Sequence, residues 1–359
     1  MNICRRFKVS ISNEHRKLIV NEMIEEIGKN TYNKSFSPTD FALSHGLTVQ
    51  SVYRYLKKLE FEQIILKYKH GKTNQYKLID TAYHFSYTIG TFSEDSVWNN
   101  AISSLMNDFS EVVYANSSYA VSEMLNNAIE HSEGNIVDVQ VFINPFRIAF
   151  LITDDGVGIF TKIASALQLE EKRFSILELA KGKFTTAPNS HSGEGIFFSS
   201  KVSDVFAIFS DNLVFSALNM DEYEDGRLRD FAGTNQVGTT VFIEIFRNHS
   251  ISSKEVFDKY TQFPDHYGFT KTIVPVKLLE YGNTRPIFVS RSQAKRLLVR
   301  FERFERIELD FSGVNEIGQG FADEVFRVFK NQHPNSKIIA INYNQDIMKM
   351  IKHVEGDIE

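Results

Sequence analysis

One run constrains the fold of this chain more than any other: Val121-Ser122-Glu123-Met124-Leu125-Asn126-Asn127-Ala128-Ile129-Glu130-His131. It reads as helix, and at 3.6 residues per turn Glu123, Asn127 and His131 stack on one face while Val121, Leu125 and Ala128 turn to the other. A helix that buries one apolar stripe does not ordinarily align a carboxylate, an amide and an imidazole on its remaining face. Shortly after it, the apolar segment Arg147-Ile148-Ala149-Phe150-Leu151-Ile152 reads as a strand and leads into Asp154-Asp155-Gly156-Val157-Gly158. An acid and two glycines therefore fall at the C-terminal end of a strand, where α/β sheets hold ligands. Two further glycine groups follow: Gly193-Glu194-Gly195-Ile196 opens a helix, and Gly238-Thr239-Thr240 begins a strand running to Ile245.

In this order and spacing the four stretches resemble the nucleotide-binding boxes of the gyrase, histidine kinase and MutL (GHKL) ATPase superfamily, over residues 95–247. The resemblance implies an α/β sandwich that binds ATP with Mg2+. It implies Asp154 as acceptor for the adenine amine with Thr239 beside it, and Gly156 and Gly158 letting the backbone close on the base. Asn127 is the implied magnesium ligand, an uncharged oxygen completing a shell of phosphates and water. Gly193 and Gly195 precede a helix whose free N–H groups and dipole favour phosphate. The stretch between Ile159 and Ser192 is the expected lid, with Lys181, Lys183, Thr185 and Thr186 as candidate phosphate contacts. Glu123 decides the chemistry, because a carboxylate one turn before the metal ligand can deprotonate a water or hydroxyl facing the γ-phosphate. The plain alternative is an exposed helix glutamate, and His131 is more simply a packing or helix-end residue. A histidine kinase is disfavoured, since His84 alone lies between residue 80 and the Glu123 helix, in an apparent linker.

Charge divides the chain unevenly. Residues 1–80 hold 14 lysines and arginines against 8 acids, a net +6; the remainder holds 26 against 37, a net −11. The basic end is the one to weigh against nucleic acid. Glu14 to Ile27 has helical apolar spacing, Ser37-Pro38-Thr39-Asp40 starts a short second helix, and Val49 to Phe61 forms a third after a turn at Gly46. Ile64 to Ile79 reads as a hairpin turning at Gly71. This pattern resembles a winged helix-turn-helix. Arg54, Lys57, Lys58 and the wing residues Lys69 and Lys72 would then neutralise phosphates of duplex DNA, and Gln50, Ser51 and Arg54 would reach base edges. A protein-interaction module with a solvated basic face is the alternative.

From Thr272 the chain alternates strand and helix: a strand at 272–274, another at 286–289, a helix from Ser292 to Phe304, a strand at 306–311, a helix at 320–331, a strand at 337–343 and a helix at 346–354. Ser290 to Leu297 and Leu309 to Glu324 resemble a STAS-like domain, the fold of anti-sigma-factor antagonists. Where those antagonists carry a phosphorylatable serine, this chain has Gly318-Gln319-Gly320, which turns the expectation toward partner binding or intramolecular docking. Asp310 and Asp323 read more simply as capping groups.

The expected organisation is a multidomain α/β chain: a winged helix (1–80), a linker (81–95), a GHKL-type ATP-binding domain (96–247), a second linker (248–271) and a STAS-like domain (272–359). A hydrophobic content of 42% and a charged content of 24% suit an ordinary globular protein. No apolar run reaches the ~18 residues needed to cross a bilayer, no secretory signal is read, and the single Cys4 excludes an internal disulfide, so a cytoplasmic location with no membrane association is expected. The expected function is an ATP-binding, DNA-binding regulator whose nucleotide state is coupled to DNA or to a protein partner of the STAS-like domain, with room for a homodimer. The alternatives are an anti-sigma-type serine kinase acting in trans and a defence-associated scaffold that only binds nucleotide.

Overall fold

Apolar residues at helical spacing set the first element, α1 (Glu14–Asn30), which buries Ile19, Val20, Met23, Ile24 and Ile27. The structure, a computed structural model, describes residues 14–30, 35–184, 193–218, 237–261, 269–280 and 288–356. Ser37 accepts the Asp40 N–H at 3.3 Å to start α2 (Pro38–Ser44), with Pro38 in the first turn, where no intrahelical N–H is needed. Thr48 caps α3 (Val49–Phe61) in the same way, accepting from Ser51. β1 (Ile65–His70) and β2 (Thr73–Leu78) pair antiparallel, closing at His70 and Thr73.

Residues 81–88, expected as linker, instead form β3 (Thr81–Thr88). Tyr83, Phe85 and Tyr87 alternate along it and pair with Val141, Val139 and Val137 of β4 (Ile136–Ile143), so β3 is the edge of a six-stranded antiparallel sheet. The sheet continues with β5 (Arg147–Asp154), β6 (Val205–Ser210), β7 (Leu213–Leu218) and β8 (Thr240–Phe246), in the order β3-β4-β5-β8-β6-β7. Both faces are apolar, for two different reasons. On one, α5 (Glu111–His131), preceded by the short α4 (Glu94–Val97), packs on β5 and β8 with Val113, Ala120, Val121, Met124, Leu125 and Ala128 buried. On the other, Ala149, Val205, Ala207, Phe209, Phe242 and Phe246 share one core with α1, α2, α3 and the hairpin. Charges are buried there too. Arg147 Nη1 lies 3.1 Å from Glu244 Oε2, paired by charge without an aligned hydrogen bond, and Arg147 Nη2 donates to Asp80 Oδ2 at 3.2 Å. The N-terminal helices and hairpin are thus cored onto the sheet.

The chain divides into two units, Met1–Gly158 with Ser200–Ser250, and Ile159–Ser199 with Ile251–Glu359. The boundaries expected at 96–247 and 272–359 differ from this, because residues 159–199 are cored with the C-terminal half. In that second unit lie α6 (Ile159–Leu167), α7 (Phe174–Lys181) and the start of α8 (Gly195–Val202). Phe197 and Phe198 pack against Phe269 and Phe257 with tilted rings, centroids 4.3 and 4.0 Å apart. The expected linker 248–271 contains α9 (Ser253–Tyr260), started by a Ser252–Glu255 capping box. β9 (Lys271–Pro275), β10 (Arg306–Asp310) and β11 (Lys337–Ile341) form a parallel sheet in the order β11-β10-β9, flanked by α10 (Arg291–Leu298), α11 (residues 319–332) and α12 (Gln345–Glu355). The helix expected to reach Phe304 stops at Leu298, because Val299 is extended and Arg300 is left-handed at φ +65°. Of the strand expected at 286–289, Phe288 makes a parallel bridge to Ile317, and residues 286 and 287 lie outside the described residues.

Candidate functional site

The end of β5 is held by several hydrogen bonds and close backbone approaches. Asp154, 7% exposed, accepts on Oδ1 from the backbone N–H of Gly156 at 2.9 Å and of Thr239 at 3.2 Å, and its carboxylate also accepts from the Thr239 hydroxyl. Burial pushes Asp154 above the usual carboxylate range, against the pull of those hydrogen bonds. The glycines are needed for close approach. A Cβ on Gly156 would sit 2.0 Å from Ser132 O, just past the end of α5, and one on Gly238 2.0 Å from Asp154 O, where φ is also +85°. Gly158 abuts Ser210 of the β6–β7 turn, whose hydroxyl donates to Gly238 O at 2.8 Å. Asp155 turns outward and accepts from Asn135 and Ile136 at 2.6 and 2.9 Å, which lowers its pKa. The structure therefore gathers Asp154, Gly156, Gly158 and Thr239, and adds Ser132 and Ser210, which the sequence did not single out.

On α5 the buried stripe leaves Glu123, Asn127 and His131 together on the half-buried remainder. The Asn127 amide nitrogen makes a weak 3.9 Å contact to Met124 Sδ. The Asn127 amide oxygen is the kind of donor that can serve as a single ligand to a magnesium ion otherwise held by phosphate and water. No group of three or more His, Cys, Asp or Glu among the described residues is arranged to hold a metal by itself.

The second unit carries the remaining glycines and lysines. Gly193 and Gly195 precede and open α8. Thr185 and Thr186 lie outside the described residues. Lys181 is fully buried, with Nζ donating to Glu178 Oε1 at 2.5 Å and Val299 O at 3.0 Å, so its ammonium is consumed by the protein. Burial holds it below the usual lysine range. Lys183 is partly exposed, donates to Arg303 O at 3.0 Å and stands over the Phe304 ring at 4.9 Å. Arg300 and Glu178, missed in the sequence, bond to each other at 3.0 Å beneath this turn.

In the N-terminal module Gln50, Arg54 and Lys57 are exposed at spacings of four and three along α3. Ser51 is engaged by Thr48 at 2.9 Å and Lys58 by Glu62 at 3.8 Å. Lys69 and Lys72 are exposed on the hairpin, and the exposed aromatics Tyr53 and Tyr68 add to that face.

Residues 293–348 match the STAS-like domain of unknown function (DUF4325). No curated protein matches the chain. The match covers α10 through the start of α12 and agrees with the parallel strands observed there. Gly318 has a packing role: a Cβ would lie 2.8 Å from Val289 Cα, and its N–H donates to Phe288 O at 2.7 Å. No described helix is long and apolar enough to cross a membrane.

Proposed function

We propose that the chain is an ATP-responsive, DNA-binding regulator, with the nucleotide held by the GHKL-type boxes, DNA by a winged helix in the first 80 residues, and a protein partner by the STAS-like domain. The observation that carries the reading is the convergence of Asp154, Gly156, Gly158, Gly238 and Thr239 at one strand end beside the end of α5. The chemistry favours adenine over guanine. With Asp154 Oδ1 taken by two backbone N–H groups, a paired amide and amine from guanine lacks its second acceptor, whereas one adenine amine needs a single one. Asn127 would hold Mg2+, which supplies charge neutralisation at the phosphates when bound. Glu123 would hold the proton of a water or hydroxyl beside them.

Transfer to a serine at the antagonist position of this chain's own STAS-like domain is opposed by Gly318-Gln319-Gly320, where packing against Val289 excludes a side chain at 318. A hydroxyl acceptor would have to come in trans. Calorimetry with ATP, GTP and a non-hydrolysable ATP analogue, with and without Mg2+, tests the reading. It expects magnesium-dependent binding of the adenine nucleotides and at least about tenfold weaker GTP. Equal binding of ATP and GTP, or none, removes it.

A further inference from the structure

We propose that two copies of this chain join edge to edge through β3, in an antiparallel register with Phe85 on the two-fold axis. The strand lies at the edge of the six-stranded sheet of the first unit: β4 takes one side of it, and among the described residues no strand takes the other. An open edge is a template for another strand, and natural sheets blunt it with charged side chains, prolines, bulges or a very short strand. None of these devices is found on β3. Its eight residues, Thr81-Ala82-Tyr83-His84-Phe85-Ser86-Tyr87-Thr88, include no Asp, Glu, Lys, Arg or Pro, and they pair with β4 one to one over the whole length. The strand is also fastened at both ends. Asp80 accepts from Asn144 Nδ2 at 2.7 Å and from Arg147 Nη2 at 3.2 Å, and the Ile89 N–H donates to Asn135 O at 2.8 Å.

What fits this edge is a second copy of itself. A two-fold axis normal to the sheet keeps each face of one copy level with the same face of the other. Residues directly opposite must then share a face, which places the axis on a residue and not between two. With the axis on Phe85, Tyr83 meets Tyr87 and Phe85 meets Phe85, three aromatic cross-strand pairs on the face of Val137, Val139 and Val141. On the other face Ala82 meets Thr88 and His84 meets Ser86, pairs without steric bulk or like charge. An axis on His84 would instead set two imidazoles together and leave Tyr87 against Thr81. All three aromatics are only half-buried in the single copy, so the pairing covers surface that water now wets. Charge selects the antiparallel sense. Exposed Lys77 precedes the strand, whereas Glu94 and Asp95 open α4 after it, so antiparallel copies bring a basic end to an acidic one and parallel copies set like against like. The core shared with the N-terminal module lies on the face of Phe142 and Ala149, so the dimer carries both modules on one face of the joined sheet. One strand pair is a small contact, which makes the association weak and dependent on concentration.

The test uses the full chain. Sedimentation velocity over a concentration series should show the parent passing from one copy to two. Ala82→Lys combined with Thr88→Lys, both at exposed positions, sets like charges directly opposite each other twice in this register and should weaken the dimer by about tenfold or more. Ala82→Lys combined with Thr88→Glu sets opposite charges at the same places and should restore it. A parent that stays a single copy at every concentration overturns the proposal, as does a dimer that the two double variants leave unchanged or weaken alike. Should the double lysine variant fail to fold, hydrogen exchange on the unaltered chain decides. Amides within 81–88 should slow as the concentration rises, and unchanged rates along the strand overturn the proposal.

Discussion

On the proposed reading Asp154 is asked to be buried and to accept a hydrogen bond from a ligand, two demands that oppose each other electrostatically. Removing its carboxylate leaves two backbone N–H groups and, on the proposed reading, an adenine amine without acceptors. Asp154→Ala should therefore weaken ATP binding by on the order of 1.5–3 kcal/mol, read by calorimetry, and unchanged affinity would remove the adenine assignment. Its raised pKa adds a pH dependence. A protonated carboxyl gives up part of its acceptor capacity, so ATP affinity should fall on acidification, beginning above pH 3.8, the ordinary value for an aspartate. Glu123 and Asn127 separate in the same way. Glu123→Gln should keep binding and lose turnover, whereas Asn127→Ala should lose the magnesium-dependent part of the affinity. A hydrolysis rate unaltered in Glu123→Gln would strip that residue of its role as base.

Elements carry what single residues do not, and here the sheet holds a carboxyl group in its core. Glu244 is completely buried, and burial raises its pKa well above the usual value of 4.5, so the folded chain holds this proton more tightly than the unfolded one. Between the two values the native state binds more protons, and stability must fall as pH rises through that interval. Glu244→Gln should flatten this loss, seen as a smaller decrease in melting temperature between pH 5 and pH 8 than the parent shows; an identical slope would mean that Arg147 keeps Glu244 ionised throughout. The charge was visible inside Val241-Phe242-Ile243-Glu244-Ile245, but nothing local said which face it occupied. The helices were legible from spacing and caps, as Ser37, Thr48 and the α5 stripe attest, and Asp154 and its glycines from a motif compressed into five residues. β3 was not, because Thr, Ser and Tyr between two domains read equally as linker and as an edge strand whose partner, β4, begins only at Ile136. Arg300 was illegible for the same reason: its partners Glu178, Gly182 and Lys183 lie about 120 residues away.

At the scale of the molecule, the N-terminal module is no tethered reader. Ile24, Ile27, Val52 and Leu56 share a core with Ala149, Phe242 and Phe246, and Asp80 reaches Arg147, so the module's position is set by the sheet that ends at Asp154. A DNA affinity that depends on nucleotide follows from this if the sheet end and the module are biased together. On the proposed reading the exposed row Gln50, Arg54 and Lys57, with Lys69 and Lys72 on the hairpin, would supply phosphate contacts from a segment of net charge +6. Binding to duplex DNA should then fall steeply with salt, and Lys57→Ala should reduce the slope of log K against log salt by about one. Arg54→Ala should additionally relax sequence preference, since a residue at the N-terminal half of a recognition helix reaches base edges. Selection from a random duplex pool with the parent and with Arg54→Ala reads the sequence preference, anisotropy titration of the enriched sequence across salt with the parent and with Lys57→Ala reads the slope, and titration without nucleotide, with ADP and with an ATP analogue reads the coupling. Enrichment with affinities that differ among the three states supports the coupled regulator. Enrichment with identical affinities leaves a DNA binder whose ATP site serves some other purpose, and no enrichment points to the protein-interaction reading of the basic face.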